Sequence, residues 1–158
     1  MVPKLEGRIS KMEQARAHLD AALAKVHPQD EIYPSWKLKQ VLDHIAGWDD
    51  FVVSALQAYL HGQPPVMMVD KGLDQFNARS VSTRKELTLE QSRQAYDDAR
   101  ERLLELLRGM LPDQLDQEFP APWGGLCTPR SIIKIFVSHE HEHARHIEEA
   151  VGQSGADG

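Results

Sequence analysis

Four long stretches of this chain repeat apolar residues every three or four positions, and no strand-like alternation of useful length lies between them. That spacing puts the apolar side chains on one face of an α-helix. The stretches run from Pro3 to Val26, from Ser35 to His61, from Thr88 to Met110 and from Thr128 to Val151. Four amphipathic helices that share one core predict an all-α protein, a four-helix bundle.

The connection between the second and third long helices is the longest in the chain. It begins at Gln63 and continues for about 25 residues, which is long enough to have a function or to contain a helix of its own. The segment Asp74–Arg79 within it predicts such a short helix. Because a long link permits a crossover, the second and third long helices are expected to run parallel.

Local signals indicate where the helices begin. Ser35 is a suitable N-cap for the second helix. Thr88, with Gln91 three residues later, has the pattern of a capping box for the third. The stretch from Pro112 to Gly125 is rich in Pro and Gly and predicts a loop before the last helix.

The length of the chain fits one domain. At 158 residues, folding buries about 70% of the surface that the unfolded chain exposes, so a metal is not needed for stability. Gly152 is expected to stop the last helix. The sequence therefore predicts one domain over residues 1–152 and a flexible C-terminal tail over residues 153–158.

The charge balance limits the partners. The 18 Lys and Arg against 24 Asp and Glu give a net charge of −6, which provides no attraction to nucleic acid or to anionic lipid. No apolar run approaches the roughly 18 residues of a membrane span, and Met1–Glu6 lacks the apolar stretch of a signal peptide. The lone Cys127 excludes an intrachain disulfide. We therefore expect a cytoplasmic protein without nucleic-acid or membrane partners.

Four of the eight histidines lie between residues 139 and 146 of the last helix. With Ile132 set to zero and about 100° per residue, His139 and His143 fall near 340° and 20°, in the middle of the expected buried face. His146 falls at its flank, and His141 points to solvent. Two imidazoles one turn apart can bind a single divalent ion, although a hydrogen-bonded polar layer would also satisfy them.

A third ligand should come from another helix of the bundle, and His44 is the best candidate. It lies one turn before Trp48, at the edge of the second helix's apolar stripe, where it can point inward or reach water. The three remaining histidines are expected on the surface: His18, His27 and His61.

The segment from His139 to His143 also matches H-E-x-x-H, in which Glu140 would be the general base of a zinc peptidase. The longer metzincin pattern requires Gly and His where this chain has His146 and Glu149. A peptidase is therefore the less favoured alternative.

Two segments carry a resemblance to a known family. Trp36–Trp48 resembles the segment in which DinB/YfiT-like metalloproteins place a His four residues before a Trp, and Ser138–Ile147 resembles their His-x-x-x-His segment. The resemblance implies a DinB/YfiT-type four-helix bundle in which His44, His139 and His143 hold a divalent ion, commonly zinc or nickel. His146 stands where many relatives have another polar residue, so it is left open whether His146 is a fourth ligand or a residue that holds the ligands in place.

The predicted chemistry follows from the ligands. Three neutral imidazoles leave the charge of the ion uncompensated, so that it can activate water or a low-molecular-weight thiol. The chain is thus expected to be a metal-dependent hydrolase or thiol transferase that acts on a small molecule. The alternative is a non-catalytic bundle whose His layer is structural or stores metal and which acts in self-association, and the relatives suggest a homodimer.

Other side chains could assist that chemistry. Glu140 is the candidate base, with Asp43 and Asp49 also near in sequence, although all three are interpreted first as solvated charges. Trp48 and Trp123 could line a substrate pocket. Cys127 precedes the last helix, whose N-terminus can lower a thiol pKa, but a buried and inert thiol is the simpler expectation.

Overall fold

The computed structural model describes residues 3–65 and 72–156, and the predicted all-α class is confirmed. Residues 66–71 of the long connection and residues 157–158 of the tail lie outside the described residues. The described elements, in chain order, are α1 (Pro3–Leu23), α2 (Leu38–Leu60), α3 (Gly72–Ser82), α4 (Leu89–Arg108), α5 (Pro112–Asp116), β1 (Phe119–Pro120), β2 (Leu126–Cys127) and α6 (Pro129–Ala156).

The chain divides into two compact units. The first unit comprises Met1–Leu38 and Arg130–Gly158, and the second comprises Lys39–Pro129. None of the helices in the described part of the chain is both long and apolar enough to cross a membrane.

In the first unit, α1 buries the apolar side chains that its three- and four-residue spacing placed on one face. Leu5, Ile9, Met12 and Leu19 are all fully buried, and burial of each such side chain stabilises the fold by about 1.5–3 kcal/mol. The same face also carries Arg16, which is a buried cation. A charge in that position requires a partner, and α6 supplies it.

In the second unit, side-chain contacts show the relative direction of α2 and α4. Near the start of α2, Lys39 Nζ donates to the carbonyl oxygen of Arg84, just before α4, at 2.9 Å. Near the end of α2, Tyr59 Oη donates to the carbonyl oxygen of Gln114, just after α4, at 2.8 Å. The two helices therefore run parallel, which confirms the predicted crossover; the short helix predicted within the connection is α3.

The predicted capping box at the start of α4 is confirmed. Thr88 Oγ1 accepts from the backbone N–H of Gln91 at 3.1 Å, and the Gln91 side chain accepts from the backbone N–H of Thr88 at 2.9 Å. The predicted N-cap at Ser35 is wrong, because α2 begins only at Leu38 and Ser35 has a φ of 69° within a turn.

The predictions for the last loop and the last helix also need correction. The loop after α4 contains the short helix α5 and an antiparallel pair in which Phe119 faces Cys127. The helix α6 continues through Gly152 to Ala156, so the predicted stop is wrong. A glycine inside a helix costs only about 1 kcal/mol relative to alanine, and its neighbours can outweigh that cost.

Candidate metal centre

The buried face of α6 differs from the face that the apolar spacing predicted. Ile132, Phe136 and Ile147 are buried as expected, but Glu140 is buried as well, and the buried sector centres about 70° from Ile132. Ile135, expected near the edge of the core, is 45% exposed.

This rotation changes the surroundings of the histidines on α6. His139 and His146 are exposed, whereas His143 is half-buried at the edge of the face. The prediction that His139 lies within the core is therefore wrong. Its assignment as a metal ligand stays a prediction, now for a ligand that solvent can reach.

The rings of His139 and His143 lie one helical turn apart, with their centroids 4.8 Å from each other and their planes tilted by 39°. Burial, followed by the nearby His139 and His146, lowers the pKa of His143 to about 4. The His143 imidazole is thus neutral at pH 7, which is the form that binds a metal ion.

A tyrosine that the sequence interpretation missed contacts His143. The Tyr33 hydroxyl lies 2.8 Å from His143 Nδ1, and the two rings meet edge to face at a centroid distance of 5.8 Å. The ring of His146 also packs edge-on against Tyr33, with centroids 6.3 Å apart. The signal in the sequence was a pair of aromatic residues, Tyr33 and Trp36, within the connection between α1 and α2.

The remaining histidine of the cluster faces a different partner. His141, predicted to point to solvent, is half-buried, and its Nδ1 lies 2.8 Å from Nδ1 of His18. The other ring nitrogen of His18 lies 2.6 Å from Glu148 Oε1. His18 is therefore half-buried rather than a surface residue, whereas His27 and His61 are exposed as predicted.

Glu140, the candidate base, forms a buried ion pair with Arg16 on α1. Its Oε1 accepts from Nε of Arg16 at 3.0 Å and from Nη2 at 2.7 Å, and neither side chain is more than 10% exposed. This contact gives Glu140 a structural role in the first unit. Its role as a base stays a prediction.

The second unit contains the other predicted ligand and the other two carboxylates. His44 is only 4% exposed, so it points inward. Asp43 accepts from Lys39 Nζ at 2.7 Å, and Asp49 accepts from Arg100 Nε at 3.1 Å. Both aspartates are buried, so the interpretation of these charges as solvated is wrong, as it is for Glu140.

The two tryptophans predicted to line a pocket lie together in the second unit. The ring centroids of Trp48 and Trp123 are 6.4 Å apart, and Trp48 Nε1 donates to Asn77 Oδ1 at 3.0 Å. Trp123 is 37% exposed, so the aromatic cluster reaches the surface. Burial raises the pKa of Cys127 to about 11, which fits the expected inert thiol.

The neutral imidazole of His143, with His139 one turn away on the same helix, suits a transition-metal ion. As the side chains stand, the described residues contain no group of three or more His, Cys, Asp or Glu arranged to hold a metal ion. The three-histidine site therefore stays a prediction.

Solved structures of known proteins share the fold. The chain matches the mycothiol-dependent maleylpyruvate isomerase with 15% identity and TM-scores of 0.76 and 0.73 in two crystal structures, covering 92% of this chain and 61% of the isomerase. It also matches an uncharacterised protein from Escherichia coli UTI89, with 12% identity, a TM-score of 0.78 and coverage of 96% and 94% of the two chains.

YfiT from Bacillus subtilis is a third match, with 19% identity, a TM-score of 0.73 and coverage of 98% of this chain and 90% of YfiT. YfiT is described as a probable metal-dependent hydrolase with an unusual four-helix bundle topology, and the likeness gives this chain the same fold class. No curated protein matches the chain. The sequence profile of the DinB superfamily, however, matches residues 5–147, and the chain therefore belongs to the DinB superfamily.

Proposed function

We propose that this protein is a metal-dependent enzyme that acts on a small molecule, with His44, His139 and His143 as the ligands of one divalent ion. The observation that carries the proposal is the pair of imidazoles one turn apart on α6, in a chain of the DinB superfamily. Zinc or nickel is the proposed ion, and a cytoplasmic homodimer is the proposed form. Such an ion would supply Lewis-acid activation of water or of a low-molecular-weight thiol.

The two histidines of α6 have different tasks in this proposal. His143 is half-buried and neutral, so it can supply a nitrogen lone pair without first losing a proton. His139 is exposed and borders a shallow, open cleft of about 410 Å³ along the surface of α6. The other residues that line the cleft, all on α6, are Lys134, Ile135, Ser138 and Glu142.

The relatives support both candidate nucleophiles, the activated thiol and the activated water. The isomerase depends on mycothiol, which is a thiol, and YfiT is described as a probable hydrolase. At identities of 15% and 19% these likenesses show the fold, so the reaction has to be decided by experiment.

Metal analysis tests the ligand set. Untagged protein should retain a divalent ion after purification, and His44→Ala should abolish that retention. His61→Ala is the matched control, because His61 is exposed just after the end of α2 and its Nδ1 lies 2.7 Å from the carbonyl oxygen of Gln57, four residues earlier. A wild-type protein that retains no metal, or a His44→Ala variant that retains as much as the His61→Ala variant, would refute the proposal.

An activity screen then separates the two reactions. The metal-loaded protein is assayed for ester hydrolysis and for conjugation of a small thiol to an electrophile. Activity that His143→Ala removes and His61→Ala preserves identifies the reaction. A metal-loaded protein that is inactive in both assays would contradict the enzymatic part of the proposal and favour the non-catalytic, metal-storing alternative.

A further inference from the structure

Tyr33, in the connection between α1 and α2, lies within hydrogen-bonding distance of His143, with 2.8 Å between its Oη and Nδ1 of the imidazole. A neutral imidazole carries a single N–H, on one nitrogen or on the other. The Tyr33 hydroxyl can donate or accept, so the direction of this hydrogen bond determines which ring nitrogen of His143 has a lone pair.

We propose that Tyr33 is a positioning residue that accepts the Nδ1–H of His143 and thereby keeps the Nε2 lone pair available for the metal ion. The inference rests on the proposed function in one respect, because it takes His143 as a ligand. Metal-binding histidines generally donate their other ring N–H to an oxygen, which sets the tautomer and the ring orientation.

The connection between α1 and α2 is built to hold Tyr33 in place. The backbone N–H of Trp36 donates to the carbonyl of Tyr33 at 2.8 Å, and the backbone N–H of Ile32 donates to the carbonyl of Trp36 at 2.8 Å. Ser35 takes its positive φ within this turn, and its N–H donates to the Glu31 carboxylate at 2.6 Å. These bonds fix the backbone on both sides of Tyr33, so little conformational entropy is lost when its hydroxyl meets His143.

The phenol also stays a neutral hydroxyl. Burial, followed by the negative charge of Glu142, raises the pKa of Tyr33 to about 12. A neutral hydroxyl keeps its own proton for a second partner while an oxygen lone pair accepts from His143. The edge-to-face packing of the two rings would remain in a phenylalanine variant, because only the hydroxyl is lost.

The test compares Tyr33→Phe with Tyr59→Phe. Tyr59 is a suitable control because its hydroxyl is also bonded, to the Gln114 carbonyl at 2.8 Å and to Gln117 Oε1 at 2.9 Å, but it contacts none of the predicted ligands through those bonds. The first measurement is the tautomer of His143 in metal-free protein, read from two-bond proton–nitrogen NMR correlations of ¹⁵N-histidine-labelled samples. The second is the zinc dissociation constant, from competition with a chromogenic chelator.

Wild-type protein should show His143 protonated at Nδ1, and Tyr33→Phe should shift the population toward Nε2–H. The same variant should weaken zinc binding by about 10- to 100-fold, whereas Tyr59→Phe leaves both values unchanged. Wild-type His143 found protonated at Nε2, or a Tyr33→Phe variant with the wild-type tautomer and dissociation constant, would overturn the inference. If the wild-type protein binds no zinc, the proposed function fails, and the tautomer measurement still decides whether Tyr33 controls His143.

Discussion

The Arg16–Glu140 ion pair allows a decisive test, because Glu140 has been assigned two different roles. As the glutamate of an H-E-x-x-H motif it would be catalytic and of little consequence for stability. As the partner of Arg16 it neutralises a buried cation, and both side chains are at most 10% exposed. The substitution Glu140→Gln distinguishes the two roles because it keeps the size of the side chain and removes its charge.

The loss of stability expected for Glu140→Gln follows from the geometry of the ion pair. Glu140 accepts two hydrogen bonds from one guanidinium, at 3.0 and 2.7 Å. Removing one partner of such a buried pair costs about 3–5 kcal/mol, because the remaining charge stays buried without compensation. For a domain of this size that loss lowers the melting temperature by roughly 6–20 °C. Replacing both residues with apolar ones, as in Arg16→Met with Glu140→Leu, should restore most of the stability.

The assay is urea unfolding followed by circular dichroism, with two comparators from the second unit. Asp49→Asn breaks a buried pair of that unit, with Arg100, and should cost a similar free energy of unfolding. Arg102→Met removes an exposed pair with Asp50 and should cost less than about 1 kcal/mol. If Glu140→Gln loses as little free energy of unfolding as Arg102→Met, the ion pair does not explain why Glu140 is buried. That result would favour a catalytic role for Glu140.

Three further outcomes are expected. Burial lowers the pKa of His143 from 6.5 to about 4, so in metal-free protein the unfolded chain binds this proton at a higher pH than the native state does. The contribution of His143 to stability is therefore complete above pH 6.5 and falls by roughly 3 kcal/mol as the pH decreases to 4. In urea titrations at several pH values, His143→Leu should flatten that slope. Cys127, with a pKa of about 11, should react slowly with iodoacetamide at neutral pH and rapidly in denaturant; equal rates would contradict its burial. Thr88→Ala removes the capping box of α4 and should cost about 1 kcal/mol in thermal melts, whereas Thr83→Ala, outside the cap, should cost less.

Local rules predicted the elements that depend on local spacing. The repeat of apolar residues identified the four long helices, and the interaction of Thr88 with Gln91 was predicted correctly because both groups lie within one turn. The length of one connection permitted the crossover in which α2 and α4 run parallel, and the contacts of α2 at both its ends confirm it. The predicted N-cap at Ser35 is wrong because the backbone of Ser35 belongs to a turn. Hydrogen bonds between Trp36 and Tyr33 define this turn, which holds Tyr33 in place.

The orientation of α6 could not be predicted in this way. A helical wheel treats a glutamate as solvated, so the apolar spacing alone put His139 in the core and Glu140 outside it. Glu140 is buried because a cation 124 positions earlier in the chain compensates its charge. Asp49 shows the same effect in the second unit, where its partner Arg100 lies 51 positions later in the chain, whereas Asp43 pairs with Lys39 one turn earlier on α2.

The amino-acid order alone therefore indicated the four long helices, the long connection between the second and third of them, and the superfamily to which the chain belongs, because helix formation and motif spacing depend on neighbours within a few residues. Only the tertiary structure decided which side of α6 is buried and which side chain meets His143. The energy of a buried charge or of an imidazole hydrogen bond depends on a partner that folding brings from far along the chain, and no local pattern records that partner.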